Sequence, residues 1–149
     1  MVTTITALTP ATHSSVKFIY APERAEFSDF RMWAEENDAT SLRWYTILQQ
    51  GTETLGVGDL DVELRRTEVE IVIAYPHHWG TYGGDNASEM DDTIESDRNQ
   101  VEKAVGYRGS ANYLAGQHAA IEGSRSPEPG DGVTFAVIPL TVTYYYDAN

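Results

Sequence analysis

EVEIVIAYPHHWGTYGGDNASEMDDTIES, residues 68–96, changes character twice. Up to Tyr75 it alternates, with Val69, Ile71, Ile73 and Tyr75 on one side and Glu68 and Glu70 on the other, the period-two pattern of a half-buried strand. Pro76 removes a ladder donor, and Gly80, Gly83 and Gly84 permit tight turns, so the following segment reads as a strand-to-helix crossover. Asn86 then precedes Glu89 by three positions, a capping-box pattern. Asp91 and Asp92 fall in the first turns, Arg98 and Lys103 toward the end, and Gly106 stands as a stop. Met90, Ile94, Val101 and Val105 recur at helical spacing, which predicts an amphipathic helix over about 87–105, roughly 28 Å long, lying on a sheet.

Upstream, VELRRTEVEIVIAY (62–75) extends the strand, and Arg65-Arg66-Thr67 breaks its phase, which predicts a bulge or bend there. QQGTETLGVGDLD (49–61) contains Gly51, Gly56 and Gly58 without periodicity and reads as a loop or hairpin tip. SLRWYTILQ (41–49) has the aromatic and branched content of a strand. FSDFRMWAEEND suits a short helix over about 28–37, with Ser28 as cap, Phe27 and Met32 as a hydrophobic staple, and Asn37 and Asp38 closing it. SVKFIY (15–20) predicts a short strand with Val16, Phe18 and Tyr20 in phase. Residues 1–13, rich in threonine and carrying Pro10, read as an extended N-terminal arm whose ordering would need a neighbouring surface, ahead of a single domain over 14–149.

Downstream, YRGSANYLAGQ (107–117) is a connector, HAAIEG (118–123) a short strand and SRSPEPGDG (124–132) a turn-forming loop. VTFAVIPLTVTYYYD (133–147) is the closing strand, with Ile138, Leu140, Val142, Tyr144 and Tyr146 in one phase and Pro139 marking an edge or a bulge. The expected class is α+β: a mixed, mostly antiparallel sheet with the long helix and the short helix packed on one face.

Composition narrows the chemistry. With no cysteine among 149 residues, disulfides, thiolate metal sites and cysteine nucleophiles are excluded. No apolar run approaches the ~20 residues of a membrane span, and MVTTITALTPATHSS lacks the basic start of a secretory signal, so a soluble chain is expected. Ten Lys+Arg against 23 Asp+Glu give a formal charge of -13, which argues against a DNA-coating role. Plain solubility from excess acid is the simpler reading, and the charge also suits a surface that DNA slides past.

No motif brings a cofactor or a catalytic set. Gly56-Val57-Gly58 lacks the third glycine of a dinucleotide fingerprint, GTYGGD lacks the ending of a P-loop, DNASEMDD lacks the glycine of an EF-hand turn, and no G-x-S-x-G elbow is present. His77 and His78 are adjacent and point to opposite sides when extended, so a zinc site would have to recruit His118 or Asp85. Trp79 and Tyr82 in the crossover read as packing or interface aromatics. Asp97 falls seven residues after Met90, on the apolar stripe, where a bare carboxylate is costly; Arg43, Arg65 and Arg66 are its candidate partners in a structural or interface ion pair.

The order of elements, from the strand ending EVEIVIAYP through the Gly-rich crossover and the acidic-start helix ASEMDDTIESDRNQVEKAV to the closing FAVIPLTVTYYY, resembles the tail terminator (tail completion or neck) proteins of long-tailed bacteriophages. The resemblance spans about residues 60–147 and is one of pattern. It implies a virion protein, assembled in the host cytoplasm, that forms a homo-oligomeric ring, usually of six copies, on the tail tube. There it stops tube polymerisation and docks the head-closure or connector protein, with DNA passing through the lumen, no membrane partner and no enzymatic role. Leu55 and Val57 in the first loop and Arg125 in the second are the expected contacts, together with Trp79, Tyr82 and Asp97. Alternatives are a head-closure protein, a tail tube subunit, or a small metal-dependent enzyme built on His77, His78 and His118.

Overall fold

A computed structural model describes residues 1–21, 27–36, 43–57, 62–77, 87–106, 117–121, 126–129 and 132–147. In chain order the elements are α1 (Val2–Thr6), β1 (Ile19–Tyr20), α2 (Phe27–Glu36), β2 (Trp44–Val57), β3 (Val62–Pro76), α3 (Ala87–Gly106), β4 (Gln117–Ile121), β5 (Glu128–Pro129) and β6 (Val133–Asp147). The strands form one mixed sheet in the order β1-β2-β3-β6-β4, with β5 pairing with β6 off that path. Among the described residues only β1 is parallel to its neighbour and the other pairings are antiparallel, so the class is α+β.

The centre of the sheet is buried on both faces, which corrects the expectation of helices on one face. Residues 71–76 of β3 and 133–138 of β6 are buried without a break, the signature of strands covered above and below. Ile71, Ile73 and Tyr75 pack with Ala136, Ile138, Leu140, Ile5, Ile94 and Val101 beneath α1 and α3. The opposite phase, Val72, Ala74, Phe135 and Val137, packs with Phe30 and Ala34 of α2. On that side Trp33 lies against Phe30 at 5.8 Å and against Trp44 at 4.9 Å. Reading β3 only for its alternation of valine and glutamate overlooked that Val72 and Ala74 form a second apolar row.

The N-terminal residues do not form an extended arm. They make the short helix α1, and Ile5 is fully buried in the α3-side core. Their ordering comes from their own chain, so they give no argument for assembly. The strand expected over 15–20 is reduced to Ile19–Tyr20, although its alternation holds: Phe18 is buried while Lys17 and Ile19 are exposed. In α2, Ser28 lies inside the helix, and Met32 is 56% exposed.

The loop expected over 49–61 is strand as far as Val57. Its glycines mark irregularities of register in β2, between Gln49 and Gly51 and between Thr54 and Gly56, whereas β3 pairs with β6 without a break from Val62 to Pro76. The bulge expected at Arg65-Arg66-Thr67 is therefore absent from β3, where Thr67 is buried in phase with Val69 and Ile71; the irregularities lie opposite, in β2. The loop expected over 124–132 contains β5, and β6 continues through Pro139 because β4 pairs from Leu140 onward and β5 only with Thr134 and Phe135.

Gly106 ends α3 for a packing reason. A Cβ there would lie 3.1 Å from Ile121 Cγ1, so its absence lets the helix end approach β4. Because Ile5 fills the core, Ile5→Ala is expected to lower stability by about 2–5 kcal/mol in urea unfolding, where a frayed arm would give almost none.

Candidate functional site

The polar centre of the molecule is built where α3 crosses the strand ends. Asp97 is carried into the core between Ile94 and Val101, and Arg43 enters from the residue before β2; both side chains have no solvent exposure. Arg43 Nε donates to Asp97 Oδ2 at 2.5 Å and Nη2 to Oδ1 at 3.0 Å, a two-pronged contact that matches the planar guanidinium to the carboxylate. Tyr75 Oη donates to Asp97 Oδ2 at 3.0 Å. The remaining donors of Arg43 reach the N-terminal segment: Nη1 to the carbonyls of His13 (3.2 Å) and Val16 (3.0 Å), and Nη2 to that of Thr12 (2.6 Å).

Arg43 has φ 65, a left-handed conformation that costs a side-chain-bearing residue ~1–2 kcal/mol, and the guanidinium network is what holds it there. Burial pushes the Asp97 carboxyl upward, while the Arg43 guanidinium, the Tyr75 hydroxyl and nearby His13 pull it back. Among the three arginines considered, the fold selects Arg43. Arg65 instead pairs with Glu63 and covers the Tyr146 ring at 3.7 Å, and Arg66 pairs with Glu53. The structural half of the ion-pair expectation thus holds; with no solvent exposure Asp97 is not an interface contact.

Around this pair the N-terminal segment is tied down by further polar contacts. Tyr45 donates its single hydroxyl hydrogen to the Val2 carbonyl at 3.0 Å, which leaves the Thr6 hydroxyl, 2.9 Å away, to donate to it. Gln100 of α3 accepts from the Ala11 amide and donates to the Thr9 carbonyl, both at 3.0 Å. His13 Nε2 lies 3.2 Å from Glu89 Oε1. None of these partners was legible in sequence, because the threonine-rich start has no periodicity to betray its packing.

The histidines expected to share a metal are separated. His77 is held at one end of the sheet, its amide donating to the Gly132 carbonyl at 2.8 Å and its Nε2 lying 2.7 Å from Thr134 Oγ1. His118 in β4 pairs with Thr143, nine residues further along the same strand β6, roughly 30 Å away at ~3.3 Å per residue. One ion cannot bridge them, which removes the site built on His77, His78 and His118. Among the described residues no three His, Cys, Asp or Glu side chains group to hold a metal.

Of the expected contact residues, Leu55 is 46% exposed and sits at a register irregularity of β2, and Val57 ends that strand opposite Glu63. Trp79, Tyr82 and Arg125 lie outside the described residues, as do His78 and Asn86. The sequence reading missed Tyr145, 65% exposed, and Tyr146, 40% exposed, at the end of β6. The signal was present in the tyrosine run 144–146, which alternation along a strand must divide between two faces. No family model matches the chain, and no curated protein sequence matches it.

Asp97→Asn would leave the Arg43 guanidinium buried without its counter-charge, so a loss of about 3–5 kcal/mol in chemical unfolding is expected; an unchanged midpoint would remove the pair from its central role. Burial also raises the Tyr45 hydroxyl above 10.0, partly offset by the Thr6 hydrogen bond. As pH rises past 10.0 the unfolded chain releases this proton while the folded chain keeps it, so stability falls with rising pH. Urea midpoints followed through the alkaline range should fall less steeply in Tyr45→Phe than in the parent chain.

Proposed function

We propose that the protein is a structural component of a phage tail, forming a ring at the head-proximal end of the tail tube that terminates polymerisation and joins the tail to the head connector. The observation that carries this reading is the ribbon formed by the ends of β2, β3 and β6. It runs beyond the residues covered by α1, α2 and α3 and presents Leu55, Tyr145 and Tyr146 to solvent. Exposed aromatics on a strand ribbon are more characteristic of an assembly surface than of a free one. β2 adds an edge there: β1 pairs only with Trp44 and Tyr45, and among the described residues no strand pairs with the outer side of the rest.

Further support comes from the order β3, α3 and closing β6, which resembles the pattern expected of tail terminators. The formal charge of -13 suits a ring through which DNA passes without adhering. In this reading the protein acts in the virion and makes or breaks no covalent bond. Its partners in this reading are further copies of itself, six by the resemblance, the tail tube protein, and the head-closure or connector protein.

A second reading within the same particle, a tail tube subunit, is favoured by the weight of strand: β2, β3 and β6 have 14, 15 and 15 residues. Negative-stain microscopy of the purified protein separates the two, with discrete rings expected for the terminator and stacked tubes for the tube subunit. Particles assembled without this gene product should carry tails of uncontrolled length or detached heads. Normal tails in its absence would refute the assignment.

A further inference from the structure

We propose that the outer edge of β4 in one copy of this chain pairs, antiparallel, with the outer edge of β2 in a second copy, so that the sheet continues from subunit to subunit. The proposal rests on the ring reading and supplies its subunit contact. β2 and β4 stand toward opposite sides of the sheet, and among the described residues no strand pairs with the outer side of residues 46–57 or of β4. Open edges present unpaired amides and carbonyls, which a strand of another chain can satisfy.

Register picks out which part of β2 is fit to pair. Irregularities fall between Gln49 and Gly51 and between Thr54 and Gly56, so residues 51–54 form one regular, exposed stretch bounded on both sides. A partner strand must be short to fit there, and β4 has five residues. The two stretches also lie level: Ala119 pairs with Val142, Val142 with Thr67, and Thr67 with Thr52, one row across the sheet. Composition removes the usual obstacles. On a chain of -13 acidic surfaces repel a second copy, but β4 contains no Asp or Glu, and residues 46–57 contain only Glu53, which is paired with Arg66. Neither stretch carries Lys or Pro, residues that commonly block edge pairing.

Topology then decides the symmetry. Because β2 with β3, β3 with β6 and β6 with β4 are each antiparallel, β4 runs opposite to β2. A neighbour's β4 laid beside β2 therefore preserves the alternation and keeps the α3 sides of both copies on one face. Pairing within the row of Thr52 and Ala119 adds no displacement along the strands, so successive copies are related by rotation, which closes a ring instead of extending a filament. β2 against the β2 of a second copy would stop at two subunits and leave both β4 edges open.

The test uses the absence of cysteine from the chain. In the full chain carrying Thr52→Cys and Ala119→Cys, the two sites are separated by three strand spacings, roughly 14 Å, too far to bond within one copy. Across the proposed contact they lie opposite each other at about 4.5–5.5 Å between Cα atoms, within disulfide reach. Oxidation of the assembled variant, with circular dichroism confirming its fold, should give covalent multiples of 16.5 kDa up to the ring, whereas either cysteine alone should give none. Hydrogen exchange on the parent chain, which needs no variant, should slow at residues 51–54 and 117–121 when assembled material is compared with dilute monomer. An assembled parent with unchanged exchange in both stretches, or a folded double variant that assembles without cross-linking, overturns this contact while leaving the ring reading intact. Cross-linked dimers from Thr52→Cys alone overturn it in favour of β2 against β2. A parent that is monomeric at every concentration overturns both.

Discussion

A guanidinium and a carboxylate removed from water can both stay charged only if their donors and acceptors are matched, and at Arg43 and Asp97 that requirement organises the surrounding structure. The carboxylate sits on α3, the guanidinium at the entrance to β2, the hydroxyl of Tyr75 on β3, and the accepting carbonyls of Thr12, His13 and Val16 on the N-terminal segment. Four parts of the chain distant in sequence are thereby held in one geometry. A buried pair of this kind contributes little net stability compared with an apolar replacement, yet it is costly to break, so its main effect is to select one arrangement.

The same constraint explains how a threonine-rich start with little intrinsic structure becomes part of the fold. α1 has five residues and no side-chain cap, too short to persist by itself. Ile5 supplies apolar burial, while Tyr45, Arg43 and Gln100 hold the backbone around it. With these anchors one face of the sheet is closed by α1 and α3 and the other by α2. Both layers cover the centre of the sheet, and its ribbon end remains open.

The proposed assembly role rests on that division between a covered centre and a ribbon that exposes Leu55, Tyr145 and Tyr146. At the centre, apolar residues of β3 and β6 occupy both phases; toward the ribbon end both strands turn to charged, threonine and tyrosine residues. Gly51 and Gly56 accompany shifts of register in β2 just there, which bend an edge that would otherwise lie flat and pair indiscriminately. At this end Tyr145 and Tyr146 are exposed beside the Arg65–Glu63 and Arg66–Glu53 ion pairs.

Much of the element order was determined locally. Alternation at Val69–Tyr75, capping and charge placement around α3, and the closing apolar-to-tyrosine run are properties of neighbouring residues and were readable as such. So was the anomaly at Asp97, because a carboxylate on an apolar helical stripe demands a partner. Which partner it takes was decided by the crossing of α3 over the sheet, since Arg43, Arg65 and Arg66 are equivalent until strand positions exist. Tertiary structure likewise decided that residues 1–13 fold back, that residues 49–57 extend β2, and that the sheet is covered on both faces. In each case the stabilising contacts join residues far apart in the chain, and short-range periodicity carries no record of them.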